Sequence, residues 1–161
     1  MTPTDRYHIV EHRHTPTPRI VVRRMDGGGG EPVVLDAACL LAQYTVSRTD
    51  ALLVLDEDTP YEEQLHLVLL RDDRVLDHIT IGAPYTTGAF RPVERSVDTL
   101  RFRFESDSGW TLAIDMNGRP GIGGLPPGAS RRFPAGLLAP RYIKLDRSEQ
   151  AALVASVQAV R

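Results

Sequence analysis

Leu65-His66-Leu67-Val68-Leu69-Leu70, Arg71-Asp72-Asp73-Arg74 and Val75-Leu76-Asp77-His78-Ile79-Thr80-Ile81 form the stretch that decides the fold class. Two runs of aliphatic and β-branched residues flank four charged ones, which is the pattern of a β-hairpin turning at Asp72-Asp73. A tight turn there sets His66 opposite Ile79 and Leu67 opposite His78, and the two histidines approach each other diagonally. Both faces carry apolar side chains, so the hairpin belongs in the middle of a sheet.

The same reading extends in both directions. Ala51 to Leu55 is an uninterrupted apolar run, as expected of a strand covered on both faces. Leu100, Phe102 and Phe104 alternate with Arg101, Arg103 and Glu105, the chain turns at Ser106 to Gly109, and Trp110, Leu112, Ile114 and Met116 return. That second hairpin has one apolar face, and its polar face can pair Arg101 or Arg103 with Asp115. Tyr7 to His14, Ile20 to Met25 and Val33 to Leu35 read as further strands, with a turn at Gly27 to Gly30. Asp36 to Gln43 (DAACLLAQ) has the Ala and Leu content of a short helix, with Asp36 as its N-cap. Thr59-Pro60-Tyr61-Glu62 has the form of a capping box and predicts one helical turn.

Residues 117 to 140 hold six of the 13 glycines and five of the 12 prolines, which predicts an ordered but irregular loop. Arg141 to Leu145 is a last strand. Asp146-Arg147-Ser148-Glu149 opens a helix from about 148 to 160, with Leu153, Val157 and Val160 as its apolar stripe. The expected architecture is therefore mainly β, or α+β: an antiparallel β-sandwich or partly closed barrel with one C-terminal helix, in a single domain spanning residues 1–161.

Composition narrows the function classes. The formal net charge of -2 gives no general attraction to nucleic acid or anionic membrane. No apolar run reaches the roughly 18 residues of a membrane span, and Met1 to Val10 has no apolar core, so neither a membrane segment nor a secretory signal is expected. Cys39, the only cysteine, excludes an internal disulfide and reads as a small apolar residue. The cytoplasm is the expected compartment. All basic residues but Lys144 are arginine, the mark of a GC-rich, bacterial genome. Nine acids between residues 50 and 77 face only Arg71 and Arg74, whereas residues 117 to 147 carry six bases and Asp146 alone. Two such blocks either orient a partner or neutralise each other in the fold, and the second is the simpler reading.

Candidate chemistry is spread along the chain. His66 and His78, with Asp77 as a carboxylate partner, are the candidates for a general base. No serine or cysteine elbow stands beside them. Arg119, Arg131 and Arg132, in and after the glycine run 118 to 124, can hold an anion, although the run lacks the sequence of a phosphate-binding loop. Tyr85 and Phe90 can line a pocket mouth, with Gly88 permitting a bend. His12 and His14 lie about 7 Å apart on one strand face and are the metal candidates, while no motif calls for a cofactor. Asp56-Glu57-Asp58 with Glu62 and Glu63 lacks the glycine and final glutamate of a calcium loop and reads as a solvated turn.

Three functions fit these residues. The first is a non-catalytic binding or interaction domain for an unknown small molecule or protein, using loops 82–96 and 117–140. On that reading, replacing Arg131 and Arg132 by Ala abolishes binding without loss of stability. The second is a small barrel-type enzyme with a histidine base in a cavity and an arginine as electrostatic partner. The third is an intracellular inhibitor or immunity-type protein whose acidic half covers a basic partner. Homo-oligomers through the edge of Ile20 to Met25 are conceivable, opposed by Arg23 and Arg24.

Overall fold

Asp72 and Asp73 both adopt positive φ, at 46° and 63°. That is the backbone signature of the two-residue turn that matches strand twist. The hairpin joins β7 (Leu65–Arg71) to β8 (Arg74–Ile81). Around it, the computed structural model describes residues 1–14, 17–26, 30–58, 64–82, 88–105, 108–120, 124–136 and 138–148. The remaining elements are β1 (Thr2–Pro3), β2 (Tyr7–Arg13), β3 (Arg19–Arg24), β4 (Val33–Leu35), β5 (Cys39–Thr45), β6 (Asp50–Asp56), β9 (Arg91–Arg95), β10 (Thr99–Arg103), β11 (Gly109–Pro120), β12 (Ala129–Phe133) and β13 (Pro140–Ser148).

They form three antiparallel sheets: six strands in the order β1-β5-β6-β7-β8-β12, four in the order β13-β11-β10-β9, and three in the order β2-β3-β4. The six-stranded sheet is the middle layer. Leu52, Val54, Leu65, Leu67, Leu69 and Ile79 point from one of its faces into a core shared with Leu100, Phe102, Trp110, Leu112 and Ile143 of the four-stranded sheet. From the other face, Leu53, Leu55, Val68 and Leu70 meet Ile20, Val22, Val33 and Leu35 of the three-stranded sheet. Two cores explain why β6 and β7 are apolar without alternation, as expected for Ala51 to Leu55. Among the described residues there is no α-helix, and no helix is long and apolar enough to cross a membrane.

No barrel closes. The free edge of β13 lies beside β8, but side chains bridge the two sheets there. The Asp77 carboxylate accepts from the backbone N–H groups of Tyr142 and Ile143, each at 2.8 Å, and Arg131 Nη2 donates to the Ile143 carbonyl at 2.7 Å. An edge strand is thus capped by a neighbouring sheet's side chains instead of a continued ladder.

The expectations for two segments are corrected first. DAACLLAQ is not helical, because Cys39–Thr45 pairs with β6. A bulge at Leu41 turns Leu40 toward one core and Ala42 toward the other, which hides the period of two. The helical preference of Ala and Leu, a few tenths of a kcal/mol per residue, yields to that pairing. Residues 117–140 are not one irregular loop, since β11 runs to Pro120 and β12 occupies Ala129–Phe133. Gly118, at φ 61°, sits where the β11–β13 register shifts.

The second hairpin pairs Leu100 with Leu112 and Phe102 with Trp110, as its alternation requires. Arg101 instead meets Glu94 of β9 at 3.0 Å, and Asp115 meets Arg119 at 2.9 Å, so the expected pairing of Arg101 or Arg103 with Asp115 is corrected. In the observed register Thr111 lies opposite Arg101. The helical turn at 59–62 and the C-terminal helix beyond Ser148 lie outside the described residues, as does most of the glycine turn at 27–30; Asp146, Arg147 and Ser148, expected to open that helix, instead continue β13 opposite Thr111, Trp110 and Gly109.

Candidate functional site

Strands β8 and β12 form a partition between two clefts, and strand alternation distributes the candidate residues to its two sides. Asp77 and Arg131 point to the side of the four-stranded sheet, and His78 and Arg132 point to the other.

Two bulges set this division. At Leu76 the hairpin register shifts by one, so His66 lies opposite Thr80 and Val68 opposite His78. The expected pairs, His66 with Ile79 and Leu67 with His78, are corrected accordingly. A one-residue slip changes the face of every side chain beyond it. Here it puts both histidines on the same face, one diagonal step apart. At Arg132 the β12–β8 register shifts again, leaving Arg132 and Phe133 beside His78.

On that side a polar cleft of about 440 Å³ is lined by Arg19, Asp36, Glu57, Gln64, His66, His78, Arg132 and Phe133, among others. His66 Nδ1 and His78 Nε2 are 2.9 Å apart, and His66 Nε2 is 2.9 Å from Glu57 Oε1. A carboxylate only accepts, so in the neutral tautomer of His66 Nε2 carries the hydrogen, and the His66 Nδ1 lone pair then accepts from His78 Nε2–H. The chain Glu57–His66–His78 thus ends at His78 beside the cleft. His66 is 1% exposed. Burial, then the His66 ring and the Arg132 charge, lower the His78 pKa from 6.5 to about 4. Arg132 Nη2 donates to Gln64 Oε1 at 3.2 Å, and Arg19 pairs with Asp36 at 2.8 Å.

On the opposite side a cleft of about 380 Å³ opens between β11, β12 and β13. Arg119, Arg131, Arg141 and Lys144 line it, against Asp115 and Asp146. Arg131 forms the inner wall. Its side chain is 11% exposed, its Nη1 lies 3.4 Å from the fully buried Asp77 Oδ2, and its Nη2 holds Ile143 O. Among the described residues, Arg131 Nε and Asp77 Oδ1 are buried without a hydrogen-bond partner. Burial lowers the Arg131 pKa and raises that of Asp77, in each case against the partner's charge. Both ionised forms are therefore held at a desolvation cost, the usual situation of a buried pair.

The remaining candidates lie elsewhere. Phe90 packs on Phe102 at 5.4 Å between ring centres and lines a shallow groove with Leu41 and Pro92. Gly88 abuts the β10 end so closely that a Cβ would sit 2.5 Å from Glu105 N. Tyr85 lies outside the described residues. His12 and His14 are exposed at the end of β2 with stacked rings 6.1 Å apart. Among the described residues, no group of three His, Cys, Asp or Glu side chains is placed to hold a metal.

Part of the acidic block is engaged within the fold. Asp50 pairs with Arg71, Asp73 with Tyr7 and Arg24, Glu57 with His66, and Asp77 with Arg131 of the basic block. Sequence reading missed Glu57 as the partner of His66. Leu55 lies opposite His66 on β6, and Glu57, two residues further on, shares its face, so the β6–β7 pairing held the signal.

Comparison with protein-family models, with curated proteins and with solved structures finds no match.

Proposed function

We propose that this chain is a binding domain for a small anion, a molecule carrying carboxylate or phosphate groups, held in the cleft between β11, β12 and β13. The observation that carries this reading is the set of cations gathered on one wall, Arg119, Arg141 and Lys144 beside the buried guanidinium of Arg131. Planar guanidinium forks suit carboxylate and phosphate oxygens, and a partly enclosed site strengthens each charge-assisted bond. Arg141 and Lys144 come from β13, and Arg131 from within the 117–140 segment, so the ligand would bridge two sheets. Asp115 already neutralises Arg119 at the rim, which leaves a modest positive excess suited to a small ligand.

Arg131 and Arg132 open on different clefts, and Arg131 also balances Asp77. Their joint replacement would therefore confound stability with binding, and rim residues give the cleaner experiment. Citrate and pyrophosphate, titrated separately into the labelled protein, should shift the backbone amides of residues 141–146 saturably. Lys144→Gln and Arg119→Gln should each weaken the binding several-fold without altering the fold. Amide spectra unmoved by either anion, or affinities indifferent to both substitutions, would overturn the reading.

The enzyme reading keeps one supporting observation, the Glu57–His66–His78 chain ending at a polar cleft. A His78 base would show as turnover of an ester or phosphoester panel that His78→Gln abolishes. No turnover across the panel would count against it.

A further inference from the structure

The anion reading uses the cleft on the Arg131 side and leaves the histidine cleft without a role. We propose that His66 and His78 form an open binding site for a borderline divalent cation, Zn2+ foremost, through His66 Nδ1 and His78 Nε2. Three observations carry this. The two nitrogens already lie 2.9 Å apart. Zn–N bonds of about 2.0–2.1 Å in tetrahedral geometry place two ligand nitrogens about 3.4 Å apart, so the rings need to part by about 0.5 Å. The far nitrogen of His66 donates to Glu57 at 2.9 Å, the arrangement in which a carboxylate fixes the tautomer and orientation of a metal-binding imidazole. Finally, both rings line a polar cleft from which water can complete the coordination of the ion.

Imidazole nitrogens favour Zn2+, Co2+, Ni2+ and Cu2+ over Ca2+ or Mg2+, which take oxygen ligands. The proton inventory closes without an added reagent. His66 Nδ1 already offers its lone pair, and His78 exposes the lone pair of Nε2 by moving its hydrogen to Nδ1 through solvent. With two protein nitrogens, the remaining positions belong to water or to a ligand in the cleft, so the ion should exchange readily.

The test is calorimetric titration of the full chain with zinc chloride, in a His12→Gln/His14→Gln background because that exposed pair is a rival chelator. The expected result is one Zn2+ per chain, an affinity at least tenfold lower in His78→Gln, and a roughly tenfold loss in Glu57→Gln, as expected on removal of the carboxylate behind a metal-bound histidine. Unchanged affinity in His78→Gln would overturn the site, and unchanged affinity in Glu57→Gln would overturn the role given to that carboxylate. Co2+ added to the unsubstituted protein gives a readout that needs no variant to fold. Paramagnetic broadening of the His66 and His78 ring protons supports the site. Broadening confined to His8, His12 and His14 refutes it.

Discussion

Acidification should unfold this protein partly through His78. Its imidazole sits in the fold with a pKa of about 4, against 6.5 for an unperturbed histidine. The cationic form is disfavoured in the folded state, so between those values the unfolded chain binds more protons. Stability then falls as the pH drops through that window and is unaffected by this group above it. Integrating the two titrations gives a loss of about 1.4 kcal/mol by about pH 5.5 and about 2.5 kcal/mol by about pH 4.5, relative to pH 7.5. Carboxylates titrate over part of the same range, so the measurement is a difference. Urea unfolding of the wild type and of His78→Gln would be followed by the fluorescence of Trp110, the single tryptophan, buried at 1% exposure. The glutamine removes the titration and can still donate to His66 Nδ1. The gap between the two stabilities should shrink by about 2.5 kcal/mol from about pH 7.5 to 4.5. Parallel curves would refute the reasoning, because they would mean that burial beside His66 and Arg132 does not hold His78 neutral.

Three further outcomes follow from the geometry. Arg131→Ala should cost about 3 kcal/mol in denaturant unfolding at neutral pH, because it strands the carboxylate of Asp77 at zero exposure; a cost below about 1 kcal/mol would contradict the pairing. Leu53→Ala should lower stability by about 2–5 kcal/mol, since Leu53 is fully buried between the six- and three-stranded sheets, whereas Arg101→Ala at the exposed Glu94 pair should change it by less than about 0.5 kcal/mol. Cys39, whose thiol pKa is raised by burial and by Asp58 and Asp56, should react with a disulfide reagent at mildly alkaline pH more slowly than a free cysteine peptide, and an equal or faster rate would contradict that environment.

How much of this was legible in the sequence depended on whether a strand kept its period. The β10–β11 hairpin did, and the alternation of Leu100, Phe102, Trp110 and Leu112 is realised residue for residue. Strand β6 was legible for a different reason: a continuous apolar run can be sheltered only by layers on both faces, and two layers are there. Strand β5 was not, because the bulge at Leu41 breaks the alternation and leaves a composition that resembles a helix. Strand β12 was concealed by the density of Gly and Pro around it, although Ala129–Phe133 contains neither.

The site was legible in its residues but not in its grouping, and the reason is again a bulge. His78 and Asp77 are adjacent in sequence, which suggested a shared site, yet adjacency on a strand guarantees opposite faces. Their partners confirm the separation, since Asp77 holds the β13 edge while His78 meets His66. Conversely, His66 and His78 share a face only because Leu76 inserts one extra residue; with an unbroken register they would look away from each other. Arg131 and Arg132 repeat the pattern on β12, where the bulge lies at the arginine itself. A single inserted residue only inverts the phase of the alternation, and hydrophobic periodicity alone does not say at which residue that inversion falls. The bulges of β8 and β12 are therefore what assembles the histidine cleft on one side of the partition and leaves Arg131 among the cations on the other.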